Sequence, residues 1–354
     1  MASAAINDEK FGALMGKALT DIGGAFSVLM AYVGDRLGLY QALKRHGPGT
    51  SAELAAEAGL DERYVREWLS CVASAGHLEY DPATTKFTLS PEAELIYAAE
   101  GDPRCLQGFF QAVKSAFDDE EKSVAAIKAG RGLSWGDRSP CCFCGTDRFF
   151  RPGYALNLVD SWIPSLSGIR EKLEAGAKVA DIGCGHGSST ILMAQAFPNS
   201  HFTGFDFHPA SIDAANEKRE EAGLDNVTFE VAAAKTFPGT DYEFICIFDA
   251  IHDMGDPVGA AAHIRQALKP DGSFMVVEPL AGDALEENLH LLGTIFYGFS
   301  TLACVPASKA QEVGLALGAQ AGQKRLSEVL MQGGFNSVRR AAQTDTNMVL
   351  EARA

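Results

Sequence analysis

The sequence predicts an α/β protein in which a helical domain with a small hairpin precedes a mostly parallel sheet of seven strands. Two observations lead to this prediction. Up to about residue 100, apolar residues recur at helical spacing and one hairpin follows them. From Ala177 onward, short apolar runs alternate with helical patterns, which is typical of a parallel sheet covered by helices. The chain of 354 residues is long enough for two such domains.

The first domain, residues 1–100, is predicted to contain three helices and the hairpin. One helix is expected over Ala25–Arg45, where apolar side chains share one face. Thr50 and Glu53 have the spacing of a capping box, which opens a second helix, and a third helix follows. The hairpin strands are expected at Leu78–Tyr80 and Lys86–Leu89. This order of elements is that of a winged helix.

The charge of this domain argues against DNA as its partner. Between Asp35 and Tyr97, ten acidic residues oppose six basic ones, and the third helix begins with Asp61-Glu62 and carries Glu67. These carboxylates would meet phosphates with like charge. The whole chain has a net charge of −16, whereas nucleic-acid binding depends on Lys and Arg. We therefore expect this domain to mediate homodimerisation or to cover a substrate, with a DNA-binding regulator as the alternative.

Residues 101–175 are expected to form bridging helices that line a substrate site, because aromatic residues are frequent among them. Cys141, Cys142 and Cys144 lie together here, but they lack the paired C-x-x-C spacing of a zinc site, so no metal site is predicted. Scattered cysteines in a long chain are expected to stay reduced.

Met1–Lys10 does not resemble a signal peptide, which favours the cytoplasm. The most apolar run, Phe244–Phe248, is far shorter than the roughly 20 residues that cross a bilayer, so no membrane partner is expected.

The second domain, residues 176–354, is predicted to contain the parallel sheet. Its strands are expected at Ala177–Ile182, Phe202–Asp206, Val227–Val231, Phe244–Asp249 and Ser273–Glu278, and two closing strands at Phe335–Ala341 and Met348–Ala352. Helices are predicted after Ser188, from Pro209 and from Pro257, since proline is favoured in the first turn of a helix.

A glycine-rich turn follows the first strand of this sheet. Its sequence is Asp181-Ile182-Gly183-Cys184-Gly185-His186-Gly187, and a helix starts directly after it. Glycines allow the backbone to turn sharply and to approach a ligand without a Cβ in the way, and the helix offers free N–H groups there. The spacing differs from the G-x-G-x-x-G of a dinucleotide site. Asp206, at the end of the second strand, is placed to accept hydrogen bonds from ribose hydroxyls.

Residues 177–280 resemble a class I S-adenosylmethionine-dependent methyltransferase. With the first domain, the whole chain resembles small-molecule O-methyltransferases that join a winged-helix dimerisation domain to this Rossmann-like, seven-stranded methyltransferase sheet. The resemblance implies S-adenosyl-L-methionine as cofactor and a small-molecule substrate. The cofactor-binding residues that it implies are Asp181, Gly183, Cys184, Gly185, Gly187, Asp206, Phe207, Ala233 and Asp249. Ala233 stands about where many members have an adenine-binding Asp, so adenine is expected to be held by backbone and apolar contacts.

The same resemblance indicates a catalytic base. In the phenol O-methyltransferases a His-Asp pair follows the fourth strand, and His252-Asp253 matches that pair here. A Glu at the end of the fifth strand orients the base in these enzymes, and Glu278 stands at that position. Histidine suits the deprotonation of a hydroxyl near neutral pH. Two alternatives remain: His252 packs at a helix start without a catalytic role, and the enzyme methylates N or S by proximity alone.

Overall fold

The computed structural model describes residues 6–354, which form two compact units. The first unit extends to Lys114 and includes Cys144–Phe149. The second unit comprises Ser115–Phe143 and Phe150–Ala354. Residues 101–175, which were expected to be bridging helices, are therefore divided between the two units.

The elements up to residue 118 are mostly helical. They are α1 (Asp8–Arg36), α2 (Leu39–His46), α3 (Ser51–Ala58), α4 (Glu62–Ser74), β1 (Glu79–Asp81), β2 (Lys86–Thr88), α5 (Pro91–Tyr97) and α6 (Gln107–Asp118). Helices α2–α4 and the antiparallel pair β1–β2 have the winged-helix order that the sequence predicts. The capping box of Thr50 and Glu53 is confirmed at the start of α3.

The prediction of one helix over Ala25–Arg45 is wrong. Asn7 caps α1, which begins at Asp8 and ends at Arg36, and a separate α2 follows. Gly38 separates the two helices because its φ of 68° lies in the left-handed region, which interrupts the helical path. The apolar periodicity continues across this break, which is why the sequence pattern does not reveal it.

The second unit contains the main sheet and its covering helices. The elements from residue 120 onward are α7 (Glu120–Ala129), α8 (Pro140–Asn157), α9 (Ile169–Ala175), β3 (Lys178–Ile182), α10 (Ser188–Ala196), β4 (His201–Asp206), α11 (Pro209–Ala222), β5 (Val227–Val231), β6 (Tyr242–Phe248), α12 (Pro257–Ala267), β7 (Leu268–Pro279), α13 (Leu291–Phe299), α14 (Val305–Lys309), α15 (Gly322–Gln332), β8 (Ser337–Gln343) and β9 (Asn347–Arg353). All seven predicted strands of this sheet are present; Val227–Val231 has the predicted ends, and the ends of the other strands are shifted by at most five residues.

The strand order of the sheet places the loops that matter at one edge. The order is β5-β4-β3-β6-β7-β9-β8, with β3–β7 parallel and β9 antiparallel to both of its neighbours. The chain moves outward from β3 through β4 to β5 and then returns to place β6 on the other side of β3. Loops that leave β3 and β6 therefore diverge, and the carboxyl ends of strands at such a switch point are where open α/β sheets bind ligands. Apolar clusters cover both faces of the sheet.

Two helical stretches are long and apolar enough to cross a membrane by length and composition alone. The first is α1, whose most apolar window has no buried residue. The second is the run Leu291–Lys309, one third of whose most apolar window is buried. Core helices of proteins without a membrane segment pass the same test, so this observation does not place the chain in a membrane.

Candidate active site

The glycine-rich turn after β3 has three glycines in the left-handed region, with φ of 70° at Gly183, 53° at Gly185 and 75° at Gly187. Their surroundings differ. A Cβ at Gly187 would lie 2.5 Å from the ring of Phe229, so this glycine lets α10 pack closely on the sheet. A Cβ at Gly185 would meet no heavy atom within 4 Å. The turn therefore opens onto free space at Gly185, where a ligand can approach the backbone.

Asp181 lies in β3 directly before this turn and is fully buried. Its Oδ2 accepts hydrogen bonds of 2.7 Å from the hydroxyls of Ser189 and Thr190, both in the first turn of α10. Its Oδ1 has no hydrogen-bond partner among residues 6–354, although it is buried. Burial raises the pKa of this carboxyl to about 6. A buried acceptor without a donor is costly, and a cationic ligand beside the turn would relieve that cost.

Asp206 ends β4 and connects the neighbouring strand to the glycine turn. Its Oδ2 accepts from the backbone N–H of Gly185 at 3.0 Å, and its Oδ1 accepts from the N–H of His208 at 2.8 Å. Burial raises its pKa in spite of these two bonds. Each carboxylate oxygen keeps a further lone pair, so Asp206 can accept additional bonds from a ligand.

Apolar side chains lie exposed at the ends of β4 and β5. Phe207 is 49% exposed and Val231 is 54% exposed, and Ala233 is also exposed in the turn that follows β5. The sequence Val-Ala-Ala-Ala over residues 231–234 offers only backbone polar groups. This surface suits a flat, apolar ring system with backbone hydrogen bonds at its rim.

These residues fit S-adenosylmethionine. An acceptor without a partner at Asp181 suits its ammonium group, the carboxylate of Asp206 suits ribose hydroxyls, and Phe207 suits adenine. Gly185 leaves room for the part of the cofactor that lies against the turn.

His252 lies at the carboxyl edge of the same sheet, in a short 3-10 turn over Ile251–Asp253. Its side chain is buried, and its Nδ1 lies 2.5 Å from Oε2 of Glu278, which is also buried at the end of β7. The other oxygen of Glu278 accepts from the N–H of Ile251 at 3.1 Å. The two residues that the sequence pairs as base and orienting carboxylate are therefore in direct contact. Ala250, two residues before His252, lies next to the glycine turn: a Cβ added to Gly183 would be 3.1 Å from Cβ of Ala250.

Two further groups surround the free edge of the imidazole. Nε2 of His252 lies 3.3 Å from Oδ1 of Asp253, and the buried thiol of Cys304 lies beside both. Burial alone lowers the pKa of His252, but the carboxylates of Glu278 and Asp253 outweigh it and hold that pKa well above its ordinary value. Burial raises the pKa of Cys304 to about 12. This pocket of electron-pair donors thus favours a positive charge at Nε2.

Asp249 follows β6 and is held by residues that the sequence did not single out for this site. Its Oδ2 accepts from the hydroxyl of Tyr154 at 2.9 Å, and its Oδ1 accepts from the side-chain amide of Asn347 at 2.8 Å. Its φ of 48° lies in the left-handed region, which strains a residue other than glycine. Burial and the nearby charge of Glu278 raise its pKa to about 7. A strained residue with a shifted pKa at a switch point is typical of a functional site.

The segment between β7 and β8 at residues 289–305 is rich in apolar residues but only partly buried. Phe296 and Cys304 are buried, but Leu289 and Leu291 are more than 70% exposed. The cysteine cluster of the sequence lies on α8, where Cys142 is buried and Cys144 is exposed. Three other residues, His252, Asp253 and Cys304, form the group that lies close enough together to hold a metal ion among residues 6–354.

Comparison with protein families supports both units. A methyltransferase domain model matches residues 173–332, and a model of the Rv2258c-like winged helix-turn-helix domain matches residues 25–97. The demethylmenaquinone methyltransferase of Listeria monocytogenes is 25% identical over 177 residues, which are 48% of this chain and 73% of that protein. The 27-O-demethylrifamycin SV methyltransferase of Amycolatopsis mediterranei is 31% identical over 118 residues, which are 31% of this chain and 43% of that protein.

Solved structures extend the fold similarity to nearly the whole chain. The mitomycin 7-O-methyltransferase MmcR has a TM-score of 0.72 at 18% identity and covers 98% of this chain and 100% of its own. Human N-acetylserotonin methyltransferase in complex with S-adenosylmethionine has a TM-score of 0.72 at 15% identity and covers 99% of both chains. At these identities the similarity establishes the fold. With the two domain models and the relatives in sequence, the chain joins a winged helix-turn-helix domain to a methyltransferase domain and is an S-adenosylmethionine-dependent methyltransferase.

Proposed function

We propose that this enzyme transfers the methyl group to a hydroxyl of a small-molecule acceptor, with His252 as the general base. The observation that carries the proposal is the 2.5 Å contact between Nδ1 of His252 and Glu278. A carboxylate at Nδ1 fixes the ring and stabilises the imidazolium that forms when Nε2 takes a proton. Nε2 of the neutral ring is then the atom that accepts the hydroxyl proton, and Glu278 is a positioning residue. Because Glu278 and Asp253 hold the pKa of His252 above its ordinary value, this neutral form is populated at higher pH than for a free histidine.

The cofactor site follows from the same edge of the sheet. When bound, S-adenosylmethionine supplies a methyl group on a sulfonium centre. Gly183, Cys184, Gly185 and Gly187 form the turn that its methionine part lies against, and Asp181 and Asp249 supply negative charge near its cationic groups. Asp206 accepts from the ribose, and Phe207 and Ala233 lie against adenine. The chain contributes position and electrostatics, which supply most of the rate in an in-line displacement.

The test measures S-adenosylhomocysteine formation with a panel of phenols and hydroquinones as acceptors. We expect His252→Ala to lower turnover about 100-fold or more, because general-base catalysis contributes a factor of that order. Affinity for S-adenosylhomocysteine should remain within twofold of the parent value. His201→Ala is the matched control, because His201 is exposed and begins β4 at the opposite edge of the sheet.

A near-normal turnover of His252→Ala would contradict the role of the base. It would favour the second function, methylation of an amine or thiol that needs only to be positioned. The similarity to proteins named for O-methylation, MmcR among them, supports the hydroxyl acceptor as the first choice.

We also propose a homodimer formed through α1. Five apolar residues of this helix follow the 4-3-4-3 spacing of a coiled-coil seam and are exposed: Met15, Leu19, Ile22, Phe26 and Leu29. A second copy presents the same seam, so the two surfaces complement each other. Packing against α1 of a second copy would cover the exposed apolar residues of this helix, so no membrane is needed to explain them.

The dimer is tested by light scattering coupled to size exclusion. The parent protein should have the mass of two chains, and the double variant Leu19→Asp/Ile22→Asp should have the mass of one, since two charges would be buried in the seam. Thr20→Asp, which lies on another face of the exposed helix, should remain dimeric. A parent protein that is monomeric at micromolar concentration would refute the proposal.

DNA is not the partner that we propose for the winged helix. On α4 the basic side chains of Arg63 and Arg66 are each paired with an acid of the same helix, Glu67 and Glu62. Such pairs leave little positive charge for phosphates.

The eight cysteines are all free thiols, which suits a reducing compartment, so we place the enzyme in the cytoplasm.

A further inference from the structure

The proposed base is one of three metal-ligand side chains that lie close together: an imidazole, a carboxylate and a thiol. One ligand atom each from His252, Asp253 and Cys304 lies within 4.8 Å of the other two. His252 and Cys304 are buried, and Asp253 is about one-fifth exposed at its side chain. Oδ1 of Asp253 is itself buried and makes no well-aligned hydrogen bond among residues 6–354, but it lies 3.3 Å from Nε2 of His252, with which it pairs when the ring is protonated. The group thus brings a carboxylate oxygen, a ring nitrogen and a sulfur close together in a largely buried place.

The orientation of His252 leaves Nε2 free to bind a cation. Nδ1 contacts the carboxylate of Glu278, so in a neutral ring the proton lies on Nδ1 and the lone pair lies on Nε2. A carboxylate on the second ring nitrogen is the arrangement that orients histidine ligands in metal sites. Nε2 and Oδ1 of Asp253 are then two acceptors 3.3 Å apart, which repel each other unless a cation or a proton lies between them.

Charge and ligand type narrow the choice of cation. One thiolate and one carboxylate balance the charge of a divalent ion, so the ion and its three ligands together would carry no net charge, which lowers the cost of burying them. Thiolate and imidazole are preferred by zinc and related transition metals, whereas magnesium and calcium require a shell of oxygen ligands. Three protein ligands leave a fourth position open, as in many zinc sites.

We propose that His252, Asp253 and Cys304 bind a divalent transition-metal ion of the zinc type, and that this ion competes with acceptor deprotonation. Binding releases the thiol proton of Cys304 to solvent as the metal–sulfur bond forms, and no redox change occurs. Because Nε2 has one lone pair, it holds either the metal or the proton of an acceptor hydroxyl. This competition rests on the proposed role of His252 as the base, whereas the metal site itself does not. The sequence-based prediction of no metal considered only the cluster around Cys142, since Cys304 lies 52 residues from His252 along the chain.

Cobalt(II) is the probe, added to the full-length protein after treatment with a chelator. We expect one equivalent to bind with a thiolate-to-cobalt charge-transfer band in the near ultraviolet, and zinc to abolish the band. Cys304→Ser should remove the band and weaken zinc binding about 100-fold or more, and Asp253→Asn should weaken it to a similar extent. Glu278→Gln should weaken it by about 10- to 100-fold, as for other partners of ligating histidines.

Cys144→Ser is the matched control, because this thiol is exposed and lies outside the group. It should keep both the band and the affinity. A band that persists in Cys304→Ser, or that is lost in Cys144→Ser, would overturn the site. So would the absence of any charge-transfer band in the parent protein. Thermal unfolding of each variant in chelator shows whether it is folded, so a loss of binding can be assigned to the ligand.

Turnover separates this inference from the proposed function. The chelator-treated enzyme should methylate a hydroxyl acceptor, and stoichiometric zinc should slow it at least tenfold. Metal binding without any effect on turnover would overturn the competition. Failure of the metal-free enzyme to methylate any hydroxyl, together with normal cobalt binding, would instead refute the base and leave the metal site in place.

Discussion

Ligand binding and packing at the glycine turn can be tested separately with three glycines in the left-handed region. Gly185 and Gly187 belong to the turn, and Gly223 lies outside it. Alanine at each position must adopt a positive φ, of 53°, 75° and 62° respectively. A Cβ at Gly187 would lie 2.5 Å from the ring of Phe229 and 2.9 Å from Cβ of Ala215. A Cβ at Gly185 or at Gly223 would meet no heavy atom within 4 Å. Gly223 ends α11, at the edge of the sheet opposite the glycine turn, so it reports the backbone cost alone.

The expected magnitudes follow from these distances. The left-handed conformation costs an L-residue about 1–2 kcal/mol, which all three variants incur. Gly187→Ala also forces a methyl group into a filled contact, which costs about 1–3 kcal/mol more. We therefore expect the free energy of unfolding to fall by about 2–5 kcal/mol in Gly187→Ala and by about 1–2 kcal/mol in Gly185→Ala and Gly223→Ala. Since the proposed cofactor site includes the open space at Gly185, Gly185→Ala should weaken cofactor binding at least ~10-fold, or ~1.4 kcal/mol.

Urea unfolding gives the stabilities, and titration calorimetry with S-adenosylhomocysteine gives the affinities at a temperature where all three variants are folded. Gly223→Ala should bind the cofactor product like the parent protein. If Gly185→Ala also binds it normally, the cofactor does not lie against this turn and the assignment of the site is wrong. If Gly187→Ala is no less stable than Gly223→Ala, its close contact with Phe229 is not a constraint on packing.

Two further predictions concern the carboxylates of the cofactor site. Asp206→Ala should weaken S-adenosylmethionine binding by at least ~1 kcal/mol through the lost charge-assisted hydrogen bonds, and an unchanged dissociation constant in calorimetry would refute that role. The pKa of Asp181 is raised to about 6 from 3.8, so the folded state holds the proton more tightly than the unfolded state. The Asp181 carboxyl should therefore lower the free energy of unfolding without cofactor by up to about 3 kcal/mol as pH rises from about 4 through 6. Asp181→Asn should reduce the slope in denaturant titrations by this share, and the raised pKa of Asp249 accounts for a further share.

The sequence predicts those features of the fold that depend on neighbouring residues. The capping box of Thr50 and Glu53 and the start of α12 at Pro257 each follow from a few adjacent side chains, and the structure contains both. The start of α1 is different. Its first three turns are exposed, so they carry no pattern imposed by the core of the chain, and the prediction began at Ala25, 17 residues too late.

The same distinction holds for the site. Asp206 and Glu278 could be placed there because both end parallel strands, and the carboxyl ends of those strands meet at one edge. Tyr154 and Asn347 hydrogen-bond to Asp249 from 95 and 98 residues away, Tyr154 from α8 and Asn347 from an antiparallel strand. No local spacing connects such residues, so only the packed structure brings them together.

The carboxylates at this edge also indicate why the site suits a cationic cofactor. The pKa values of Asp181 and Asp249 are raised to about 6 and about 7, mainly by burial and in part by the nearby charges of Asp206 and Glu278. A set of buried acids that resist ionisation stores electrostatic free energy, which a positive ligand releases. The methyl donor is a sulfonium with an ammonium group, and the product of transfer has lost the sulfonium charge. With the cofactor in the proposed site, we expect the same carboxylates to hold the donor more strongly than the product, which would favour exchange of the product for the donor after each transfer.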